Sequence, residues 1–270
     1  MPAVSVLMPA YNAAPYLKQS IDSIISQTFT DWELLIVDDA STDDTGLIVQ
    51  AYAAADSRIK VFKNEINLGI AASRNRLLSL ARGEYIAWQD ADDISEPSRL
   101  AKQYQFMTAN PQVGICGGYL VFFDDHKSFG IRQYEISDHQ IRKNIFRFSP
   151  VAQPAAMIRA DVFAKVGTYQ PGINVAEDLL MSFKIGRYYQ FANLPEVLVK
   201  YRQQPNSITF KKLKVLELNT LKIRWQFHND PNYQFSLVDY VYNILQFLTL
   251  YLSPARFRIW AFNLVRNSKI

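Results

Sequence analysis

The chain has 270 residues, 49% hydrophobic and 13% aromatic, enough to bury a sizeable core in one large domain or a domain with an appendage, and too apolar for a disordered polypeptide. A single cysteine, Cys116, excludes an internal disulfide and suggests a reducing compartment, while His126, His139 and His228 lack the spacing of a zinc site. The net charge of +4 is unevenly spread: residues 1–210 hold 20 Lys and Arg against 22 Asp and Glu, and residues 211–270 hold 9 against 3.

In chain order, apolar strand-like runs alternate with helix-like ones: Val4–Met8, Pro15–Gln27, Glu33–Val37, Thr45–Ala55, Ile59–Phe62, Ile70–Ala81 and Tyr85–Trp88. That β-α-β-α-β-α-β order predicts an α/β fold with a mostly parallel, doubly wound sheet covered by helices. In the first helix Leu17, Ile21, Ile24 and Ile25 recur on one face, and Pro15 falls in the first turn, where its missing N–H is tolerated. Asp31 and the acidic stretch from Asp38 to Asp44 supply turn and N-cap chemistry.

Beyond Pro97 the spacing predicts a helix to about Met107, then a buried strand at Val113–Phe123. A loop is expected at Ser149–Pro154, a short strand at Met157–Ile158 and a short helix at Ala160–Val166. A longer helix at Glu177–Tyr189 and a strand at Val197–Tyr201 follow. No basic leader precedes the first apolar run, and no stretch of about 18 residues is free of charge and strong polarity. Neither secretion nor a membrane-spanning helix is therefore expected.

The acids fall at strand ends. The first strand ends at Pro9-Ala10-Tyr11-Asn12, the second at Asp38-Asp39 and the fourth at Asp90-Ala91-Asp92-Asp93. In a parallel sheet these ends share one edge, where open α/β sheets bind ligands. Asp90 and Asp92, two apart, would point to one side if the segment is extended. Paired hard oxygens suit Mg²⁺ or Mn²⁺ completed by phosphate and water, and the alternative is a solvated acidic turn before Pro97.

With Ser26-Gln27-Thr28-Phe29, Asn67-Leu68-Gly69, Ser73-Arg74-Asn75, Gly83-Glu84-Tyr85-Ile86, Gly167, Glu177-Asp178 and Tyr201-Arg202, these motifs run in order through residues 3–210. Together they resemble family 2 glycosyltransferases of the GT-A fold. The resemblance implies an inverting enzyme that uses Mn²⁺ or Mg²⁺ and a nucleoside-diphosphate sugar, with UDP-sugar favoured. Pro9, Ala10, Tyr11 and Ala91 would line the donor site, with Tyr11 stacking on the base and Asp39 accepting from the uracil imide. Asp90 would contact ribose or metal, Asp92 would coordinate the metal, and Asp178 would be the general base. Arg202 would reach the diphosphate, and Arg74 would either serve the donor or form a structural ion pair. Gln153 and Gln204 stand where relatives frequently carry histidine.

Residues 1–210 are thus read as the catalytic domain and 211–270 as a basic, aromatic helical extension, with Leu237–Leu252 nearly apolar but interrupted by Asp239, Asn243 and Gln246. Such helices suit an anionic membrane surface, with Trp225, Phe257, Trp260 and Phe262 at the interface. The alternative is packing on the catalytic domain or on a second copy in a homo-oligomer. The expected location is the cytoplasm, peripheral on the inner face of the membrane, with a glycan or glycolipid acceptor and no nucleic-acid partner. Two other functions compete: a metal-dependent sugar-phosphate nucleotidyltransferase and a non-catalytic nucleotide-sugar-binding scaffold. The first normally opens on a Gly-rich basic loop, which Pro9–Ala14 is not.

Overall fold

Val4–Ala10 (β1) and Trp32–Asp38 (β2) are buried at every position, as parallel strands covered on both faces must be. Alternate side chains feed two cores. Leu7, Leu35, Val37 and Trp88 enter one layer, while Val6, Met8, Leu34, Ile36 and Ala87 enter the other. The computed structural model describes residues 1–124, 127–203 and 212–266, without the side chains of 263–265.

Ala14–Ile25 (α1) buries Leu17, Ile21 and Ile24 with Pro15 at its start, as its periodicity predicts. Thr45–Ala55 (α2), Ile59–Lys63 (β3), Ile70–Leu80 (α3) and Tyr85–Trp88 (β4) complete the first half. The strands pair in parallel, β3-β2-β1-β4. Gly83 turns the chain into β4, and a Cβ there would lie 2.4 Å from the Ser5 backbone nitrogen.

The second half is mixed rather than parallel. Ile94–Ser95 (β5), Arg99–Ala109 (α4), Val113–Phe123 (β6), Ser128–Arg132 (β7), Asp138–Asn144 (α5), Met157–Arg159 (β8), Val162–Val166 (α6), Glu177–Ile185 (α7) and Gln190–Arg202 (β9) follow. The sheet runs on as β4-β8-β6-β9-β5, with β7 also on β6; β8 is antiparallel to both neighbours, and β6 and β9 are parallel. Three differences from the sequence reading have local causes. The helix expected to Tyr189 stops at Ile185, where Gly186 takes the C-cap and residues 187–189 turn back toward Gln190. The final strand begins at Gln190, seven residues early, because β6 supplies ladder partners across a bulge near Tyr119. A 3₁₀ turn at Gln153–Ala155 occupies the predicted loop.

The tail forms Leu213–Phe227 (α8), Leu237–Leu252 (α9) and Ala255–Val265 (α10). Its inner side chains share the main core: Ile223, Phe227 and Tyr233 pack with Phe146 and Phe183. Asn219 of α8 donates to the carbonyl of Val175, two residues before α7. The extension is therefore continuous with the main core.

Candidate active site

The carboxyl ends of β1, β2 and β4 lie along one edge, and side chains stitch their loops together. The Asp39 N–H donates to the Ala10 carbonyl at 2.8 Å. Asn12 donates its N–H to Ser41 Oγ at 2.9 Å and accepts from the Thr42 N–H at 2.8 Å. Among the described residues three non-glycine positions have left-handed backbone, Asn12 (φ 50°), Ala40 (φ 60°) and Ala176 (φ 67°), and all three border this edge or open α7. Such strain concentrates where surrounding structure imposes a functional geometry.

Asp39 is buried, and its carboxylate organises the entry to α3. Oδ1 accepts from the Leu68 N–H at 3.0 Å and from Asn64 Nδ2, while Oδ2 accepts from the Gly69 N–H at 2.9 Å. Gly69 has φ 84°, and a Cβ on it would approach Asn174 Oδ1 to 2.9 Å, so this bend requires glycine. A carboxylate has about four acceptor sites, so Asp39 retains capacity for one more donor. Pro9 and Ala10 form the buried end of β1, and Tyr11 beside them is 50% exposed.

Asp90 to Asp93 do not continue the strand. The Asp93 N–H donates to the Asp90 carbonyl, which makes a turn, the second of the two alternatives, but a crowded one with Ala91 buried at its centre. The turn still crowds the acids. Burial and Asp90 push the Asp92 carboxyl up to about 6. Burial, with the charges of Asp92 and Asp90, raises Asp93 well above the usual range. Asp90 is raised by burial and by Asp178, against the pull of Arg74 and Arg99.

Asp93 Oδ1 accepts the Arg202 N–H at 2.8 Å, while its buried Oδ2 has no hydrogen-bond partner among the described residues. Arg202 Nε donates to the Asp92 carbonyl at 3.0 Å, and its guanidinium lies 4.5 Å from the Tyr16 ring centroid and 4.4 Å from that of Phe123. The structure therefore places Arg202 as a buried clamp on the acidic turn.

Arg74 is 4% exposed and lies between the two acidic elements. It forms an ion pair with Glu177 Oε1 and approaches Asp90 Oδ1 at 3.8 Å, with the rings of Trp88 and Tyr169 beside it. Of its two alternatives, the structural ion pair is the one these contacts form. With Glu177 so engaged, Asp178 is the more open acid of α7; among the described residues its Oδ1 accepts from its own neighbour's N–H, Leu179, at 2.8 Å. Asp178 is near enough for its charge to raise Asp90. Gln153 donates to the Tyr169 hydroxyl at 3.0 Å, and Gln204 lies outside the described residues.

Two supporting residues escaped the sequence reading. Asn64, just past β3, holds Asp39 as described and also reaches Ser73 Oγ; its position after a strand was the available signal. Arg99 is fully buried beneath the acidic turn, donating to the Trp88 carbonyl at 2.8 Å, to Ser95 Oγ at 2.9 Å and to Gln103 Oε1 at 3.1 Å. Burial lowers its pKa to about 10, which leaves it charged at neutral pH opposite Asp90 and Asp93. Nothing in the sequence distinguishes it from a solvent-facing helix residue.

Residues 5–167, more than half of the chain, match the model of glycosyl transferase family 2. The chain belongs to glycosyl transferase family 2. An uncharacterized glycosyltransferase of Methanocaldococcus jannaschii is 34% identical over 266 residues, covering 94% of this chain and 90% of the relative. An Escherichia coli UDP-Glc:alpha-D-GlcNAc-diphosphoundecaprenol beta-1,3-glucosyltransferase is 41% identical over 116 residues, 43% of this chain and 45% of that enzyme. Two solved structures share the GT-A fold. The Pyrobaculum calidifontis mannosyltransferase in complex with GDP-Man and Mn²⁺ has a TM-score of 0.67 at 20% identity, over 92% of this chain and 70% of that one. Staphylococcus aureus TarS 1–349 in complex with UDP-GlcNAc has a TM-score of 0.61 at 18% identity, over 94% and 82%. This family 2 chain therefore has the GT-A fold expected of its motifs.

The acid turn suits a divalent cation of one kind. Among the described residues no three His, Cys, Asp or Glu side chains group to hold a metal alone. Asp90 and Asp92 provide hard oxygens, and beside them the buried Asp93 Oδ2 has no hydrogen-bond partner among the described residues. That donor set fits Mg²⁺ or Mn²⁺ whose remaining ligands come from a diphosphate and water, rather than a closed protein cage.

Proposed function

We propose that this family 2 glycosyltransferase transfers a sugar, with inversion, from a UDP-sugar to a hydroxyl of a growing glycan or glycolipid, using Mn²⁺ or Mg²⁺. The observation that carries this reading is the division of labour between the acids of the turn and the acid of α7, which face the same edge. Asp92 and Asp90 sit in a crowded turn that favours a cation, while Asp178 stays open because Arg74 occupies its neighbour Glu177.

A cation held by Asp92, with Asp90 at its side, would offset the charge gathering on the departing diphosphate. Tyr11 would stack on the base, and the remaining acceptor site of Asp39 would take the uracil imide N–H. Pro9, Ala10 and Ala91 would form the walls against which the nucleoside lies. Asp178 would take the acceptor hydroxyl's proton as that oxygen attacks the anomeric carbon opposite the leaving diphosphate. The bond to the acceptor forms as the bond to the diphosphate breaks, so one displacement inverts the centre. Arg74, Arg99 and Arg202 would position the acids rather than touch the reacting atoms.

The UDP donor and lipid-borne acceptor in the name of the Escherichia coli relative, and the UDP-GlcNAc in the TarS complex, favour uridine. GDP-Man in the Pyrobaculum complex is the competing donor type. An enzyme serving such an acceptor would work in the cytoplasm, peripheral on the inner face of the membrane. UDP and GDP release from a panel of nucleotide sugars, with and without Mn²⁺, tests the reading. Metal-dependent release from a UDP-sugar is expected, and release confined to GDP-sugars or independent of metal would overturn it.

A further inference from the structure

Helix α9 is inside out. Its ten exposed residues are all aliphatic or aromatic, including Leu237 at 77% and Leu252 at 80% exposure, with Leu245, Leu248 and Tyr251 between them. The polar stripe faces the protein. Asp239 closes a capping box with Ser236 and pairs with Arg147 at 2.8 Å. Asn243 donates to the Phe146 carbonyl at 2.9 Å, and buried Arg224 donates to Gln246 Oε1 at 2.9 Å and to Asn243 Oδ1. These inward bonds fix the helix's rotation, so the apolar face cannot turn into the core. A contiguous apolar face of this kind marks an interaction surface.

The charges around it select the occupant. All three acids of the tail are engaged in ion pairs: Glu217 with Arg258, Asp230 with Arg187 and Asp239 with Arg147. Lys212, Lys214, Lys222 and Arg256 are exposed instead. Lys214 Nζ lies 4.8 Å from the Tyr251 ring centroid at the end of α9, and Arg256 lies in the first turn of α10, near exposed Phe257 and Trp260 in sequence. Lys211 and Lys269 lie outside the described residues. A second copy docked by the same patch would meet no exposed acid on these helices. Among the described residues no helix is long and apolar enough to cross a membrane.

We infer that the outward face of α9, with its basic end at Lys214 and Arg256, lies flat in the headgroup region of an anionic lipid surface. Apolar insertion and a basic rim act together, as peripheral anchoring requires. The inference deepens the proposed function and rests on its reading of an enzyme that works at a membrane. Because α8 packs against α9 and against α7 and the loop preceding it, α8 joins the face of α9 to the helix carrying Asp178.

Co-sedimentation of the full chain with phosphatidylglycerol–phosphatidylcholine vesicles, and with phosphatidylcholine alone, tests this. The wild type is expected to pellet with the anionic vesicles, and Leu245→Glu/Leu248→Glu to reduce pelleting about tenfold or more with thermal unfolding and Mn²⁺-dependent UDP binding unchanged. Lys214→Glu/Arg256→Glu, which leaves the apolar face intact, is expected to erase the preference for anionic vesicles. Pelleting of the Leu245→Glu/Leu248→Glu variant equal to the wild type would overturn the assignment of α9 while leaving membrane attachment elsewhere. A wild type that stays in solution as a dimer, split by the same substitutions, would assign the face to a second copy and overturn the inference. UDP release scored in the same samples separates this outcome from failure of the transfer reading.

Discussion

Arg74 on α3 and Glu177 at the start of α7, 103 positions apart, form a buried ion pair that joins the two acidic elements of the site. Its geometry makes Arg74 a positioning group for Asp90 on one side and for α7 on the other. Removing one partner of a buried pair strands the other without compensation, at about 3–5 kcal/mol. Arg74→Met should therefore lower unfolding stability by about that amount in urea denaturation. Arg74→Met/Glu177→Met should recover most of the loss, because neither charge is then buried alone. Equal destabilisation by the single and double variants would refute the pairing.

Asp178→Asn removes a proton acceptor and keeps the shape. Loss of a general base typically lowers turnover about 10²–10⁴-fold. We expect a fall of that order in transfer rate with metal-dependent UDP binding unchanged, measured by UDP release and calorimetry. Asp92→Asn should show the opposite division, losing metal-dependent UDP binding. Full turnover in Asp178→Asn would remove the base from α7.

The acid turn makes the effect of metal depend on pH. The folded-state pKa of Asp92, about 6, lies above its unfolded value of roughly 4. A raised carboxyl contributes stability in full below the unfolded value and loses it as pH rises through the folded value. Metal-free protein should therefore lose stability between about pH 4 and pH 6 on account of this group. Mn²⁺ requires the ionised carboxylates, so the rise in melting temperature on adding Mn²⁺ and UDP should be small at pH 5 and larger at pH 7.5. An equal rise at both pH values would argue against ligation by this turn.

Asp39→Asn replaces one carboxylate oxygen with an NH₂ group facing the Leu68, Gly69 or Asn64 donors. A buried donor left opposing another donor costs about 1–3 kcal/mol. We expect destabilisation of that size together with weaker UDP binding, read by denaturation and by calorimetry. Normal UDP affinity in the variant would exclude Asp39 as the base contact.

The alternation of β1 to β4 with α1 to α3 was legible because each element carries its own periodicity and its own stop signals. The acids after the strands were legible for the same reason, since parallel topology alone brings those ends to one edge. The second half was read less well. β5 has two residues, and the early part of β9 depends on ladder partners in β6 that no local pattern announces. Whether Asp90–Asp93 runs extended or turns is open in the sequence, because alternation cannot reveal the backbone bond that closes the turn.

What the sequence determined by itself was the family's motif series, the parallel half of the sheet and the acidic edge, because these follow from short-range spacing and topology. What only the tertiary structure decided was how those acids are partnered and which way α9 faces. Only the tertiary structure brings Glu177 and Asp90 against Arg74, 103 and 16 positions away in the chain. The stretch Leu237–Leu252 shows the same polar and apolar stripes whichever side is inward. Arg147, distant in the chain, and Arg224 of the preceding helix hold the polar stripe against the body and leave the apolar stripe outside. Buried guanidinium groups need polar partners more than the core needs additional aliphatic surface.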